Sequence, residues 1–377
     1  MNASNMETLS NCSSLASRSS FIDYVEAINT TTSFNTTLLY ECQGEICNAL
    51  WGDGNADISG IGMVVGYIFE SVLGLIFILG LALKRTISRT RYSEKYSNIL
   101  VKGCNTFFDC AVFFTVSIQI SCVVVLVRRD LGINANGLGG LTTQITWVIA
   151  LLCMLSLIYP LVILDQLSEK RGGYRLFLFC GCWVLFCYTF ISQMIGEFAP
   201  SQVGQGAGQG GTTIITTDEW NSLTDMCFSG VQSMRPSEAR VLRGFGAMGS
   251  LVVTTYGVVR LLWFIGERQW PTPASRIRKR TVAAFPDGQR TAPLVMFWVV
   301  LLTILTIPQY WGLFRLRNIQ KSLANSTSNA YADNQWAFGQ VVAVTIFAPV
   351  FTEIGYLLLQ DGSSVTSQAS PKGNQKP

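Results

Sequence analysis

The sequence predicts an all-α protein, a polytopic membrane helix bundle with seven transmembrane helices, its N-terminus outside and its C-terminus cytosolic. Three observations lead to this prediction: apolar runs of span length, the distribution of basic residues, and the positions of N-glycosylation sequons. The apolar runs cover residues 60–83, 105–127, 142–164, 174–198, 246–266, 293–314 and 336–359. Each is close to the roughly 20 residues that a helix needs to cross the hydrocarbon core, where a helix satisfies its own backbone polar groups.

Basic residues concentrate in the loops that follow the first, third and fifth runs. These residues are Lys84, Arg85, Arg89, Arg91, Lys95 and Lys102, then Lys170 and Arg171, then Arg268, Arg276, Arg278, Lys279, Arg280 and Arg290. Cytosolic loops of membrane proteins carry an excess of Lys and Arg, so these three loops are predicted to be cytosolic. The N-terminal tail then lies outside, and an odd number of spans places the C-terminal tail in the cytosol.

The N-glycosylation sequons give an independent indication of the orientation, because this modification marks the outer side of a membrane protein. The Asn-x-Ser/Thr triplets begin at Asn2, Asn11, Asn29, Asn35 and Asn325. Four lie in the N-terminal tail and the fifth lies between the sixth and seventh runs. All five are therefore on the predicted outer side, and we expect them to be glycosylated.

The chain divides into three predicted parts. Residues 1–59 form a glycosylated extracytosolic tail that is rich in Ser, Thr and Asn, poor in charge and largely disordered. Residues 60–359 form the transmembrane domain, and residues 360–377 form a polar, disordered cytosolic tail. We expect the protein in the endoplasmic reticulum or another endomembrane in preference to the plasma membrane.

Four cysteines fall on the predicted outer side, which permits disulfides. They are Cys12, Cys42, Cys47 and Cys227. Cys42 and Cys47 are close enough in sequence to close a small loop before the first span, whereas Cys227 is able to pair instead with one of them. The sequence does not choose between these pairings. The other seven cysteines lie in or beside the spans, where a thiol is an apolar filler.

Several residue types and motifs are missing, and their absence excludes whole classes of function. The chain contains no histidine, which excludes a Ser-His-Asp triad, a His-ligated haem or metal site and a His proton relay. It has no phosphate-binding P-loop or dinucleotide fingerprint, and its seventh span has no lysine for a retinal Schiff base. Residues 164–167 do not resemble the motif that rhodopsin-like receptors carry after their third span. We therefore expect no metal, no cofactor and no nucleic-acid partner.

Glu70 is the clearest ionisable residue inside a predicted span. Such residues are costly in the membrane and usually face the bundle interior. Glu70 shares one helical face with Gly62, Gly66 and Gly74, because these residues are spaced by four. Small residues at this spacing let a second helix approach closely. We therefore expect Glu70 to point into a tight helix interface.

A second group of charges is predicted near the cytosolic third of the bilayer. Asp109 lies about one turn into the second span, and Arg260 and Glu353 lie a similar distance from the cytosolic ends of the fifth and seventh spans. We expect Arg260 to pair with Glu353, with Asp109 or with both. The Arg260–Glu353 pair is interpreted as a structural ion pair. Glu353 and Asp109 are also candidate catalytic residues.

Two motifs at the outer ends of spans carry a resemblance to a known group of proteins. Residues 55–62, which read NADISGIG, lead into the first span, and residues 336–341, which read WAFGQV, open the seventh. Both resemble signatures of seven-span integral membrane proteins from filamentous fungi. The length and the tail are similar to those of the polytopic membrane proteins of indole-diterpene clusters, of the paxilline and lolitrem type. These motifs mark span entries, so no active site of that family is transferred to this chain.

The resemblance implies a role in fungal secondary-metabolite biosynthesis, of indole-diterpene mycotoxins, and suggests a membrane-bound terpene cyclase that acts on a prenylated substrate. Such an enzyme protonates an epoxide or an alkene with a buried, neutral carboxylic acid, and aromatic faces stabilise the carbocations. Glu70, Glu353 and Asp109 are the candidate acids. A receptor-like sensor and a non-catalytic membrane scaffold stay open as alternatives. The expected partners are membrane lipid, an apolar prenylated molecule and other biosynthetic membrane enzymes.

Overall fold

The computed structural model describes residues 40–52, 54–87, 91–130, 140–167, 172–195, 224–269, 291–327, 331, 333 and 336–368. Within these ranges every regular element is a helix. The helices are α1 Gln43–Trp51, α2 Ala56–Ser59, α3 Ile61–Ile87, α4 Arg91–Asp130, α5 Gly140–Leu167, α6 Gly172–Ile195, α7 Pro236–Gln269, α8 Thr291–Ser326, α9 Phe338–Thr345 and α10 Ala348–Gln368.

Seven helical segments are long and apolar enough to cross a membrane. They are Ala56–Ala82, Ile99–Val127, Gly140–Leu164, Gly172–Met194, Pro236–Leu262, Pro293–Ser326 and Phe338–Gln360. Each coincides with one predicted apolar run, so the predicted all-α, seven-helix membrane bundle is confirmed. The first segment joins α2 to α3, and the seventh joins α9 to α10. Which end of the bundle faces the cytosol stays a prediction.

Helix α5 forms the centre of the bundle. The most apolar part of this helix is buried throughout, whereas half or less of the corresponding part is buried in each of the other six spans. It packs against α3, α4, α6, α7 and α8. A helix that is apolar on all sides belongs in an interior, and between Gly140 and Leu164 α5 carries no Asp, Glu, Lys or Arg. The other six spans expose large apolar side chains, such as Ile76, Phe113 and Phe177.

The seventh span is broken where Pro349 follows α9. Proline has no N–H to donate, and its ring clashes with the carbonyl group four residues earlier. That residue is Thr345, at which α9 ends, and α10 begins at Ala348. Pro160 and Pro308, by contrast, lie inside α5 and α8 without ending them.

The glycines on the Glu70 face of α3 are contact points with three different helices. A Cβ atom on Gly62 would lie 2.6 Å from the Cβ atom of Gln340, on α9. A Cβ atom on Gly66 would lie 3.1 Å from the ring of Phe114, on α4, and 3.2 Å from the Cβ atom of Ala343, on α9. A Cβ atom on Gly74 would instead lie 3.3 Å from Tyr159 of α5. The predicted close approach along this face is therefore present, and it is divided among α9, α4 and α5.

Replacement of Gly62 by alanine is expected to destabilise the bundle. The added Cβ would lie 2.6 Å from the Gln340 Cβ and 2.9 Å from the Trp336 ring, so α3 and α9 would have to separate. This overpacking costs about 1–3 kcal/mol, and a thermal melt of the purified protein measures it. Gly181→Ala is the matched control, since its Cβ would meet nothing within 4 Å. Equal melting temperatures for both variants would contradict the close contact.

One end of the bundle, called the outer end here, is covered by α1. A disulfide joins Cys47 of α1 to Cys227, which lies shortly before α7. The Trp51 ring packs edge-on against Phe228 at 4.8 Å between centroids. Of the pairings that the sequence left open, the structure therefore forms the one between Cys47 and Cys227. Cys42 is also disulfide-bonded, to a partner outside the described residues.

A buried polar cluster closes the same end beside α8. Arg317 forms an ion pair with Asp333 at 3.4 Å, and the hydroxyl of Tyr331 donates to the same carboxylate oxygen at 2.9 Å. Burial, together with the charge of Asp333, raises the pKa of the Tyr331 hydroxyl well above its usual value, so it stays a neutral donor. Gly54 has a φ of 104°, and a Cβ there would lie 2.7 Å from Oδ1 of Asp333, so only glycine fits.

The structure differs from the predicted boundaries at both ends of the membrane domain. Residues 40–59 were expected to belong to a largely disordered tail, but they contain α1 and α2, and the disulfide and Trp51 fix α1 to the bundle. Helix α10 continues to Gln368, beyond the predicted boundary at 359. Asn325 is exposed in the last turn of α8. The other four sequons lie outside the described residues, and glycosylation stays a prediction.

Candidate functional site around Glu70

Glu70 is fully buried near the middle of α3, as its glycine-lined face predicted. The hydroxyl of Thr115, on α4, donates a hydrogen bond of 2.8 Å to Oε1 of the carboxyl group. The thiol of Cys153, on the central helix α5, lies beside the same carboxyl group. Oε2 accepts no hydrogen bond from the described residues. The carboxyl group therefore sits between three helices with one oxygen held and one oxygen unpartnered.

A network of hydroxyl groups lies next to this carboxyl group. The hydroxyls of Ser71 on α3 and Ser156 on α5 are 2.6 Å apart. Tyr310, on α8, donates to the carbonyl oxygen of Tyr67 at 2.6 Å, and its hydroxyl oxygen is 2.8 Å from that of Ser71. The network ties α3, α5 and α8 together at the depth of the carboxyl group. Tyr310 could not be singled out from the sequence, because its role depends on the register of α8 against α3.

Aromatic rings surround the interface of α3 and α4 with the seventh span. The ring centroids of Tyr67 and Phe114 are 5.6 Å apart, and those of Phe114 and Phe347 are also 5.6 Å apart. The series continues through Phe107 to Phe77, with separations of 6.1 and 5.4 Å. Tyr67 lies one turn before the carboxyl-bearing residue, and Phe114 precedes its hydrogen-bond donor. The negative faces of such rings attract a cation within about 6 Å.

The other predicted charges do not share this site. Arg260 is on α7, which packs against α5, α6 and α8, whereas Glu353 is on α10, which packs against α4. Asp109 and Glu353 are both partly buried. The pairing of Arg260 with Glu353 or with Asp109 stays a prediction, and so does a catalytic role for either acid.

Two buried charges, Arg175 and the Asp333 carboxylate described above, were missed by the sequence reasoning. Arg175, near the start of α6, is 2% exposed and donates to the carbonyl oxygen of Leu164 at 3.2 Å and to Oδ1 of Asn105. It therefore joins α6 to the end of α5 and to α4. The available signal was a single arginine at the start of the apolar run 174–198. These contacts give Arg175 a structural role away from Glu70.

The arrangement around Glu70 is suited to the transfer of a proton. Among the described residues no Lys or Arg pairs with the carboxyl group, and an unpaired carboxyl group is far less costly to bury in its neutral form. A neutral acid with one hydrogen-bonded oxygen and one unpartnered oxygen is able to donate its proton from the second.

Comparison with family models, with curated proteins and with solved structures found no match to this chain. The resemblance to fungal seven-span proteins therefore stays a prediction, and the chain is placed here only as a seven-helix membrane protein.

Proposed function

We propose that this protein is an integral membrane enzyme of fungal secondary-metabolite biosynthesis, a proton-initiated terpene cyclase that acts on a prenylated, indole-diterpene-like substrate. The observation that carries the proposal is the fully buried Glu70 carboxyl group, which has Thr115 on one oxygen, no partner among the described residues on the other, and aromatic rings nearby. The resemblance of the span-entry motifs supports the choice of substrate class.

In the proposed reaction Glu70 acts as the general acid. Its proton passes from the carboxyl group to an epoxide oxygen or an alkene carbon of the substrate, and the C–O bond or the π bond breaks to leave a carbocation. Neighbouring alkenes attack this cation and close the rings. A C–H bond next to the last cation then breaks to form a C=C bond, and its proton passes to water. Thr115 keeps its hydrogen bond to the carboxylate that remains, which lowers the cost of its charge.

The rings near the site have a second role in this reaction. Tyr67 and Phe114 lie with their centroids 5.6 Å apart beside the acid and its hydrogen-bond donor. Their faces stabilise a carbocation by about 0.5–2 kcal/mol each without reacting with it.

Deletion of the gene, followed by metabolite profiling of the producing strain, tests the proposal. We expect a prenylated, uncyclised intermediate to accumulate and the cyclised product to disappear. Reintroduction of the gene is the control and should restore the product. An unchanged metabolite profile would contradict the proposal and favour a receptor-like sensor. A lower yield of every product, with no accumulating intermediate, would favour a scaffold.

A further inference from the structure

A row of buried polar side chains leads from Glu70 toward the outer end of the bundle. On α4, Thr115, Gln119 and Cys122 lie on one face, because they are spaced by four and three residues. Nε2 of Gln119 donates to the carbonyl oxygen of Ala150 at 2.7 Å, and the Cys122 thiol points to that of Thr146 at 3.7 Å. As the residue numbers along α4 increase, those of the contacted residues on α5 decrease, because the two helices are antiparallel.

The row continues to the outer end of α5. The hydroxyl of Thr146 donates to the carbonyl oxygen of Thr142 at 2.8 Å. Nε2 of Gln320, on α8, lies 3.0 Å from the hydroxyl of Thr142 and 3.3 Å from the carbonyl oxygen of Gly52. Gly52 directly follows α1. We call Thr115, Gln119, Cys122, Thr146, Thr142 and Gln320 the polar file, and each of them is at most 2% exposed.

Three acceptor oxygens along this route have no hydrogen-bond partner among the described residues. They are Oε2 of Glu70, Oε1 of Gln119 and Oε1 of Gln320. Buried acceptors are nearly always hydrogen-bonded to protein or to ordered water. Because the three acceptors recur along one file, waters that satisfy them would also bridge the gaps between its members.

Between Glu70 and the opposite end of the bundle, apolar side chains fill the interface of α3 and α4. Two turns further along α3 and α4 lie the buried residues Phe77, Ile78, Phe107 and Phe108. Phe77 and Phe107 are in ring contact at 5.4 Å. Groups of this kind offer no hydrogen bond to a proton carrier.

Two further hydroxyl groups extend from the site toward that opposite end, but they do not continue to it. Tyr159, one turn beyond Ser156 on α5, lies 3.2 Å from the hydroxyl of Thr303. Thr303 in turn donates to the carbonyl oxygen of Val299 in its own helix at 2.7 Å. Beyond it the buried face of α8 presents Val299 and Val295.

Among the described residues, the titratable groups that interact with Glu70 are all neutral types. They are Tyr67 on its own helix, Cys153 on α5, Cys182 on α6 and Tyr310 on α8. Each of them would itself have to recover a proton from bulk water after giving one to Glu70.

We propose that Glu70 exchanges its proton with the outer end of the bundle, through the polar file and bridging waters, and not with the opposite end. This route is independent of the chemistry that the acid performs. It assigns Gln119 and Gln320 as positioning residues that hold the waters. In a cyclase the same file returns a proton to Glu70 after each turnover.

Infrared spectroscopy of the full-length protein in lipid nanodiscs tests the route. The C=O band of the protonated Glu70 carboxyl group is identified as the band that Glu70→Gln removes, and its shift after rapid mixing with D₂O gives the exchange rate. Gln119→Leu and Gln320→Leu keep the size of each side chain but remove the amide. We expect each to slow exchange by about tenfold or more, equivalent to roughly 1.4 kcal/mol in the barrier.

Thr303→Val is the matched control, since it alters the branch toward the opposite end, and its exchange rate should equal that of the original protein. Thr115→Val changes a third residue of the polar file and should also slow exchange. It replaces a glutamine variant that does not elute as a single species in size-exclusion chromatography. Equal exchange rates in all variants, or slower exchange in Thr303→Val alone, would overturn the proposal. The lack of any protonated carboxyl band that depends on Glu70 would overturn it as well.

Discussion

Glu70→Gln is expected to abolish formation of the cyclised product while it leaves the amount of protein nearly unchanged. Glutamine has the shape of the neutral acid, and its amide oxygen still accepts the hydrogen bond from Thr115. It has no acidic proton to transfer. General acid catalysis contributes about 10²–10⁴-fold to a rate, so turnover in isolated membranes should fall by at least about a hundredfold.

Glu238→Gln is the control for this experiment. It makes the same chemical change at a half-buried glutamate near the outer end, where the carboxylate is 3.6 Å from Arg315. Such partly exposed ion pairs contribute about 0–1 kcal/mol, so activity and abundance should both persist. Full activity of Glu70→Gln would remove Glu70 from the mechanism. Loss of the protein itself would assign Glu70 a structural role instead.

The fold was predictable because the bilayer allows so few solutions. A run of about 20 apolar residues with few charges has to be a helix in lipid, and each of the seven runs lies in a helix that is long and apolar enough to cross a membrane. The ends of the helices were less predictable. Helix α4 begins at Arg91 and α8 continues to Ser326, well outside the apolar runs. These extensions are polar, so hydropathy gives no signal for them.

The burial of Glu70 was also predictable, but the composition of its surroundings was not. The glycine spacing on α3 indicated which face meets another helix. The contacts with Thr115 and Cys153 depend on how α4 and α5 are shifted along α3. Sequence alone fixes neither that register nor the order of helices around the bundle. The polar file was missed for the same reason, because its members become neighbours only across three helices.

The predicted pairing of Arg260 with Glu353 or Asp109 depends on more than depth. Counting residues from the span ends gives the depth of Arg260 and Glu353 but not their direction around the bundle. Helix α7 packs beside α6 and α8, and α10 packs beside α4. Two residues at equal depth are neighbours only if their helices are neighbours. The pairing therefore stays a prediction.

Loss of the Cys47–Cys227 disulfide is expected to be the most destabilising change outside the spans. The bond joins residues 180 positions apart and holds α1 over the outer end of the bundle. Removal of a native disulfide typically costs about 2–5 kcal/mol. Cys47→Ser and Cys227→Ser should each lower the thermal midpoint of the purified protein, and the double variant should lower it no further, because either single change already breaks the bond.

Cys187→Ser provides the comparison, since Cys187 is a free thiol within α6 and its loss should leave the thermal midpoint within about 1 kcal/mol of the original stability. Mobility on a non-reducing gel confirms which variants lack the bond.

The disulfide is also expected to limit the local motion of α1, which covers the outer end of the bundle and is called the lid here. Trp51 packs on Phe228, and Gln43 donates to the carbonyl oxygen of Met226 at 2.9 Å, so α1 keeps weak contacts even without the disulfide. The lid should therefore loosen without leaving the bundle, and α1 should exchange its backbone amides faster while α5 stays protected. Additive losses from the two single variants, or unchanged amide exchange in α1, would show that the disulfide does not hold this lid.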